Sequence, residues 1–474
     1  MQEIALQFFL NDKYKEIRIP ANTTVLEYIR NFAGLTGTKL GCGEGDCGSC
    51  TIVMGELKGG KMVYKAVNSC IVPVAKMHHK HIVTVEGLSD GKTLHPVQKA
   101  ILDNHATQCG FCTPGITMSL FGYLSAGGDH DEEGVRLALE GNLCRCTGYR
   151  SVKSASAVTL DYFNENDFVF PPYFEEVKNR LKELKRNNAH GFNDDYFIPE
   201  NRRRLIDYIK QKDGYKIISG GTDLFVLRNL KDVEYGKLLD ISDVDEYKTI
   251  DVKEDEVAIG GSVTLSEILE NGYLKEKIPV LSQTVKLMAS KQIRNIATLS
   301  GNIANASPVA DSVPVLLSAG AVLHLLSPHG ERELSLNDFY ISYKKTALKE
   351  GEIIEKIVIP VKDKYLFSFE KSSKRKAVDI STVNSAVAVN VKDGIVNDIK
   401  ISYGGIAPVP CRIESAERYL SGKTLNVKNV LKAAEIAAGS VKPITDVRGS
   451  EVYRKTLVKN HLVKHFHNLF PETI

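Results

Sequence analysis

Gly41-Cys42-Gly43-Glu44-Gly45-Asp46-Cys47-Gly48-Ser49-Cys50-Thr51 is the stretch from which the rest of this chain is read. Its cysteines stand at x4 and x2 spacing, and Cys70 follows as a fourth. Thiolates hold a 2Fe–2S cluster with that spacing. A loop that wraps such a cluster turns tightly and aims backbone N–H groups at anionic sulfur. Gly41, Gly43, Gly45 and Gly48 permit the positive φ values this requires. Zinc is the competing reading, but zinc ribbons favour paired C-x2-C knuckles, and this glycine-rich run suits them poorly.

On either side of that loop the chain reads as β-rich. Ile4 to Leu10 and Tyr14 to Ile19 flank Asn11-Asp12-Lys13, a hairpin signal. Thr24 to Phe32 reads as a short helix with Thr23 or Thr24 as N-cap, and Thr51-Ile52-Val53-Met54 resumes a strand. From Thr93 the period becomes helical. Leu94, Val97, Ala100 and Ile101 share one face, as do Ile116, Leu120 and Leu124. Val135, Leu137 and Leu139 suggest a third helix and Val152 to Phe163 a fourth, which together make a small bundle.

Within this bundle lie Cys109-x2-Cys112 and Cys144-x1-Cys146. Alone, C-x-x-C fits a redox dithiol or half a zinc site. Each pair here is followed by a helix-like segment, whose positive dipole end would favour an anionic cluster. Beside the first motif, the second set reads as a second 2Fe–2S site.

The bulk numbers agree with a soluble, multidomain protein. At 474 residues, with 43% hydrophobic and 25% charged, the chain has room for about three or four domains. A formal charge of +3 from 61 basic and 58 acidic residues gives no basic face for nucleic acid or an anionic membrane. Met1-Gln2-Glu3-Ile4 shows no basic n-region before an apolar run. The longest apolar stretch, Val313 to Leu326, is broken by Ser318 and His324 and is too short to span a bilayer. The expectation is a cytoplasmic protein, and in that compartment nine cysteines point to metal or redox work rather than disulfides. Eight of them lie between Cys42 and Cys146; Cys411 stands apart as a buried small residue.

Five segments follow: 1–82, β-rich with the first cysteine set; 83–163, helical with the second; 164–195, a polar linker; 196–365, α/β; and 366–474, strands with a helix near Val427 to Ala438. In the fourth, Lys216-Ile217-Ile218-Ser219-Gly220-Gly221-Thr222-Asp223-Leu224 is a strand running into a double-glycine turn. Such a turn lets backbone N–H groups approach a pyrophosphate, although Gly-Gly-Thr-Asp alone also fits an ordinary turn. Thr298 to Asp311 is dense in small residues and side-chain donors. No G-x-G-x-x-G follows a strand. Two other runs are set aside. Gly55 to Lys61 has P-loop spacing, but Met62 stands where Ser or Thr should be, so it reads as a hairpin turn. Met77-His78-His79-Lys80-His81 reads as a solvated strand end rather than a metal site.

The cysteine loop, together with Gln108-Cys109-Gly110-Phe111-Cys112-Thr113-Pro114-Gly115 and Gly141-Asn142-Leu143-Cys144-Arg145-Cys146-Thr147-Gly148-Tyr149, resembles the iron–sulfur region of the molybdenum hydroxylases, the xanthine dehydrogenase and aldehyde oxidase family. The resemblance covers the first third and extends into the rest. It implies an α+β multidomain chain: a β-grasp 2Fe–2S ferredoxin domain, a four-helix-bundle 2Fe–2S domain, a vanillyl-alcohol-oxidase-type FAD domain and an α/β C-terminal flavoprotein domain. It also implies that Gln108 and Cys146 approach the pterin of the molybdenum cofactor.

For FAD it implies Lys216 to Leu224 and, in the second segment, Thr298, Ser300, Gly301, Asn302, Asn305, Ser307 and Asp311. Ile354 would pack near the flavin, and Tyr403-Gly404-Gly405-Ile406-Ala407-Pro408 is a further match. A lysine near the flavin is supplied by Lys371 in one alignment, while Glu370 takes that position in another.

The function implied is that of a small iron–sulfur/FAD subunit of a bacterial xanthine dehydrogenase-type enzyme. Electrons from a molybdenum-cofactor-binding large subunit would pass through two 2Fe–2S clusters to FAD and then NAD+, with xanthine or hypoxanthine as substrate and a dimer of heteromers as assembly. An aldehyde, nicotinate or other aromatic-substrate hydroxylase is the alternative, and a zinc-bound scaffold is the reading from another class. No residue of this chain is assigned a catalytic role.

Overall fold

The structure, a computed structural model, describes residues 3–127, 130–187, 195–361 and 364–474. Met1 and Gln2 of the N-terminal reading and 188–194 of the expected linker lie outside the described residues. The chain forms two compact units. The first is Met1–Pro199 with Gly214–Asp240 and Ala289–Ala297; the second is Glu200–Asp213 with Ile241–Met288 and Thr298–Ile474.

The first unit begins with strands β1 (Glu3–Leu10) and β2 (Lys13–Pro20), paired antiparallel around Asn11, which takes φ 53°. Alternation buries Ile4, Leu6 and Phe8 on one face. β3 (Thr51–Lys58), β4 (Lys61–Asn68) and β5 (His81–Val83) complete a sheet of order β2-β1-β5-β3-β4, with β5 parallel to β1. A helical turn, Val25–Glu27, is started by Thr24, whose hydroxyl accepts from Glu27 N–H while Glu27 caps Thr24 N–H. This mixed sheet with one short helix is the β-grasp. The P-loop-like run is the β3–β4 hairpin, turning at Gly59 and Gly60 with positive φ.

Four helices follow, Pro96–Asp103, Thr113–Leu124, Glu132–Leu139 and Arg150–Glu165, around Val97, Ile116, Leu120, Val152 and Leu160. The expected polar linker is in large part a helix, Tyr173–Asn187. Phe174, Val177 and Leu181 are buried at i, i+3 and i+7, on one face of an otherwise charged segment. Phe174 packs on Tyr64 and Phe121 at 5.2 and 6.1 Å between centroids.

The run at His78 to His81 also departs from its solvated reading. His79 and His81 are 2% and 0% exposed, and His81 opens β5, an interior strand of the sheet. His81 bonds Tyr64 Oη and the Asn11 carbonyl, both at 3.0 Å. The unit also contains a three-stranded parallel sheet, Tyr196–Phe197, Lys237–Asp240 and Tyr215–Ile218, with helix Thr222–Lys231. Its Tyr196, Ile218, Phe225 and Leu238 share a core with Leu6, Phe8, Leu26 and Ile71.

The second unit holds a five-stranded antiparallel sheet in the order Gly330–Ser335, Val322–Ser327, Ile353–Pro360, Glu256–Gly260, Ile250–Val252. A four-stranded antiparallel sheet, Leu366–Ser372, Val383–Lys392, Ile395–Gly404 and Cys411–Arg412, packs with helices Val427–Gly439 and Glu451–Leu469. Cys411 is half-buried, and burial pushes its thiol up to about 11. Among the described residues no helix is long and apolar enough to cross a membrane.

Candidate metal centres and flavin segments

In the first cysteine set, Gly43, Gly45 and Gly48 all take positive φ, which bends the loop around its thiols. The loop is held from outside: Asn68 Nδ2 donates to Gly45 O, Ser69 Oγ to Cys50 O at 2.7 Å, and Thr51 Oγ1 to Gly48 O at 2.7 Å. Cys42 and Cys47 share a hydrogen bond, which holds the proton on Cys42 and brings Cys47 down to about 5. Cys70 is paired in the same way with Cys50, and that hydrogen bond together with burial pushes its thiol up.

The second set comes from two loops. Cys112 is the N-cap of Thr113–Leu124, whereas Cys144 and Cys146 precede Arg150–Glu165 and leave Tyr149 as its N-cap. The sulfurs of Cys109 and Cys146 lie 3.6 Å apart. Cys112 is pushed up to about 12 by burial and by its hydrogen bond to Cys144. Burial raises Cys144, but hydrogen bonds from Thr147 outweigh that and leave it lowered; Thr147 Oγ1 lies 3.1 Å from its sulfur.

Among the described residues, no three His, Cys, Asp or Glu side chains gather as a site for a single metal ion. The thiols come instead as pairs, 42 with 47, 50 with 70, 109 with 146 and 112 with 144. Two pairs per set suit a two-iron cluster, which takes two thiolates on each iron.

The two sets touch through backbone. Leu143 N–H donates to Cys47 O at 3.0 Å, one residue before Cys144. Asn142 Nδ2 donates to Gly48 O at 3.1 Å, and a Cβ at Gly115 would overlap that same carbonyl. Gln292, which carries no sequence signal, ties the contact down by donating to Ser119 Oγ and Ala138 O, both at 2.8 Å, and to Asn142 Oδ1 at 3.2 Å. Arg294, 1% exposed, pairs with Glu140 at 3.1 Å. Gln108 and Cys146 are both exposed.

Flavin-candidate residues occur in each unit. In the first, the strand Tyr215–Ile218 ends in Ser219-Gly220-Gly221. Gly221 takes φ 78° as N-cap of Thr222–Lys231, and a Cβ on Gly220 would overlap the Ile296 carbonyl. The first N–H groups of a helix have no intrahelical partner, so the turn that opens Thr222–Lys231 is where an anion would bind. Ser219 Oγ is buried without a hydrogen-bond partner among the described residues, which fits donation to a phosphate oxygen. Lys76 Nζ donates to Ser219 O at 2.7 Å and pairs with buried Asp240 at 2.9 Å. Ile217 is half-buried and Lys216 exposed.

In the second unit, Thr298 caps Leu299–Ala304 by accepting from Gly301 N–H. Ser300 Oγ donates to Gly261 O, and a Cβ on Gly261 would overlap Ile354 O, so Ser300, Gly261 and Ile354 sit together. Asn302 Oδ1 accepts from Ser312 Oγ at 2.7 Å, Asn305 accepts from Lys344 at 2.9 Å, and Ser307 Oγ accepts from Val309 N–H at 3.4 Å. These side chains thus bond within their own segment or, for Asn305, to Lys344 beside it. Lys371 Nζ meets Asp311 at 2.7 Å, while neighbouring Glu370 meets Lys464 at 2.7 Å. Asp311 also accepts from Ser381 and Asn384, and Gly405 N–H donates to Pro308 O at 2.8 Å, which joins the Tyr403 to Pro408 stretch to the same place.

Comparison with known proteins agrees along the chain. Residues 8–75 match the 2Fe-2S iron-sulfur cluster binding domain and 84–157 the [2Fe-2S] binding domain. Residues 190–362 match the FAD binding domain in molybdopterin dehydrogenase, and 368–469 the CO dehydrogenase flavoprotein C-terminal domain. Xanthine dehydrogenase/oxidase of Gallus gallus is 30% identical over 97% of this chain and 40% of its own length. Xanthine dehydrogenase 1 of Arabidopsis thaliana is 29% identical over 94% and 38%. The chain thus spans about two fifths of these relatives. A carbon monoxide dehydrogenase chain from Hydrogenophaga pseudoflava superposes with TM-score 0.56 at 25% identity, covering 59% of this chain and 98% of that one.

Two 2Fe–2S domains followed by an FAD-binding domain define an electron-transferring iron–sulfur flavoprotein. The chain belongs to the molybdenum hydroxylase family, which takes in xanthine dehydrogenase and carbon monoxide dehydrogenase, and it is the 2Fe–2S/FAD part.

Proposed function

We propose that this chain passes electrons from a molybdenum cofactor on a partner large subunit to FAD and then NAD+, in an enzyme oxidising xanthine or hypoxanthine. Cys109, Cys112, Cys144 and Cys146 would hold the cluster nearer the molybdenum, and Cys42, Cys47, Cys50 and Cys70 the cluster nearer the flavin. The observation that carries this order is the hydrogen bond from Leu143 N–H to Cys47 O, which joins the two ligand loops, with Cys109 and Cys146 of the second set left at the surface.

The residues proposed for FAD are Lys216 to Leu224, Thr298, Ser300, Gly301, Asn302, Asn305, Ser307, Asp311, Ile354 and Lys371. When bound, a flavin takes electrons one at a time from the clusters and delivers them in pairs to a hydride acceptor. This chain's own part is to hold the thiolates, keep water from Cys50 and Cys70, and fix the separation of the centres. Xanthine is favoured because both cluster domains and the flavin domain lie on one chain, 97% of which the Gallus xanthine dehydrogenase/oxidase matches. The partner, the dimer of heteromers and a cytoplasmic site belong to the same proposal.

The test is a visible spectrum with metal and flavin analysis on anaerobically purified protein, alone and with co-purifying chains. About four irons and one FAD per chain, with molybdenum and NAD+-dependent xanthine oxidation only when a larger chain is present, is the expected result. Zinc without flavin would refute the relay.

A further inference from the structure

The helix Thr222–Lys231 starts at the double-glycine turn and ends against the first cysteine loop. Near that end Asn229 Nδ2 donates to two carbonyls, Gly43 O and Cys70 O, each at 2.7 Å. Gly43 sits in the loop that carries Cys42, Cys47 and Cys50, and Cys70 is the fourth thiol. One amide therefore ties together the two chain segments that supply the set.

The orientation of that amide is fixed by its neighbours. Asn229 Oδ1 accepts from Arg228 Nη1 at 3.1 Å, and the same Nη1 donates to Glu27 Oε1 at 2.6 Å. Glu27 is held in turn by Thr24 N–H at 2.7 Å. A flipped amide would set Oδ1 against two carbonyl oxygens, which repel it. Gly43 has φ 75°, and a Cβ there would stand 3.9 Å from Asn229 Cβ, so the loop backbone lies close to this side chain. A cavity of about 550 Å³ bordered by Cys42, Cys70, Arg228 and Asn229 opens on this side.

We infer that Asn229 is a positioning residue of the first cluster, holding the Cys42 loop and Cys70 in register with each other and with the helix that begins at the flavin turn. This rests on the assignment of Cys42, Cys47, Cys50 and Cys70 as 2Fe–2S ligands. About two helical turns separate Gly221 from Asn229, so the same rigid element carries both ends of the last electron step.

The experiment uses the full chain as wild type, N229A and N229D, with EPR of the reduced clusters, redox titration and the rate of bleaching by an iron chelator. Asp keeps the size and the Arg228 contact but turns the donor into an acceptor. The first-cluster signal is identified as the one missing in C50S. Losing two hydrogen bonds predicts that this signal broadens, its midpoint potential moves, and the cluster bleaches about tenfold faster. The second-cluster signal and flavin content stay at wild-type level. First-cluster signal, potential and bleaching rate unchanged in both variants would overturn the inference. So would loss of both clusters together in both variants, because Asn229 would then be a general folding residue. If N229A alone loses everything, N229D decides. Wild-type protein lacking both signals would instead refute the ligand assignment itself.

Discussion

Cys50 and Cys70 of the first set are each 2% exposed, whereas Cys109 and Cys146 of the second stand at the surface beside buried Cys112 and Cys144. The donors are the same, but the surroundings differ. The first set is held by its own chain on the Cys50 and Cys70 side, where Asn68, Ser69 and Asn229 bond its loop and Ile71 packs in the core behind it, while Cys42 and Cys47 are half-buried. The second is braced on its inner side, through Gln292 and the Asn142 contact, and open on the other. An electron relay needs this asymmetry, since an internal centre requires a fixed environment while a centre that meets a partner needs an accessible edge.

The largest effect expected is selective loss of one cluster. C50S removes a buried ligand and should cost the first cluster outright, halving iron from about four to about two per chain while the second signal persists. C112S should do the reverse. The measurement is iron and sulfide content with EPR. Loss of both signals in each variant would erase the distinction between a self-contained set and a braced one.

Lys76→Met tests how far the first set depends on the parallel sheet beside it. The substitution takes the cation from the buried Asp240 carboxylate, which also accepts from Tyr196 Oη at 2.7 Å, and it frees the Ser219 carbonyl at the double-glycine turn. Breaking a buried pair this way costs about 3–5 kcal/mol. Denaturation should then show the first cluster and FAD lost together, ahead of the second cluster. Coincident loss of all three would mean that the unit unfolds as a single block.

A smaller effect concerns reactivity of the cluster-free protein. Cys109 is exposed, and its thiol is lowered by hydrogen bonds from Phe111 N–H and Cys146, while Cys50 and Cys70 are buried. Brief alkylation followed by peptide mass spectrometry should label Cys109 about tenfold faster than Cys50 and Cys70. Equal rates would show that the first loop opens when it carries no metal.

The parts that were legible in the sequence were local. The cysteine runs at 42–50, 109–112 and 144–146, the β1–β2 hairpin and the four helices each follow from residues within about fifteen positions of one another. What was not legible depends on distant partners. Asn229 acts on Gly43 across 186 positions and Gln292 on Ser119 across 173, and neither carries a motif or a period. Lys76 lies just ahead of a histidine run that looked like a strand end, and its role appears only when Asp240 folds beside it. The helix Tyr173–Asn187 was hidden for another reason. Its apolar face is only Phe174, Val177, Leu181 and Leu184, so its charges read as a linker.

Acid should give the smallest difference between the two domains. Burial, offset by the Asn11 carbonyl, brings His81 beside the first set's sheet down to about 3, and burial also lowers His95 in the helical domain. For both, the folded pKa lies below the unfolded one, so the unfolded chain binds the extra proton. Stability is therefore whole above about pH 6.5 and falls as pH drops below it, by at most about 1.4 kcal/mol per pH unit for each histidine. His81 is the deeper of the two, with both ring nitrogens bonded inside the sheet. Native-state hydrogen exchange, corrected for intrinsic rates, should show protection in Glu3–Leu10 falling more steeply between pH 6.5 and 4 than in Thr113–Leu124. The opposite order would place the acid-sensitive element in the helical domain and make the closed first set the more robust of the two.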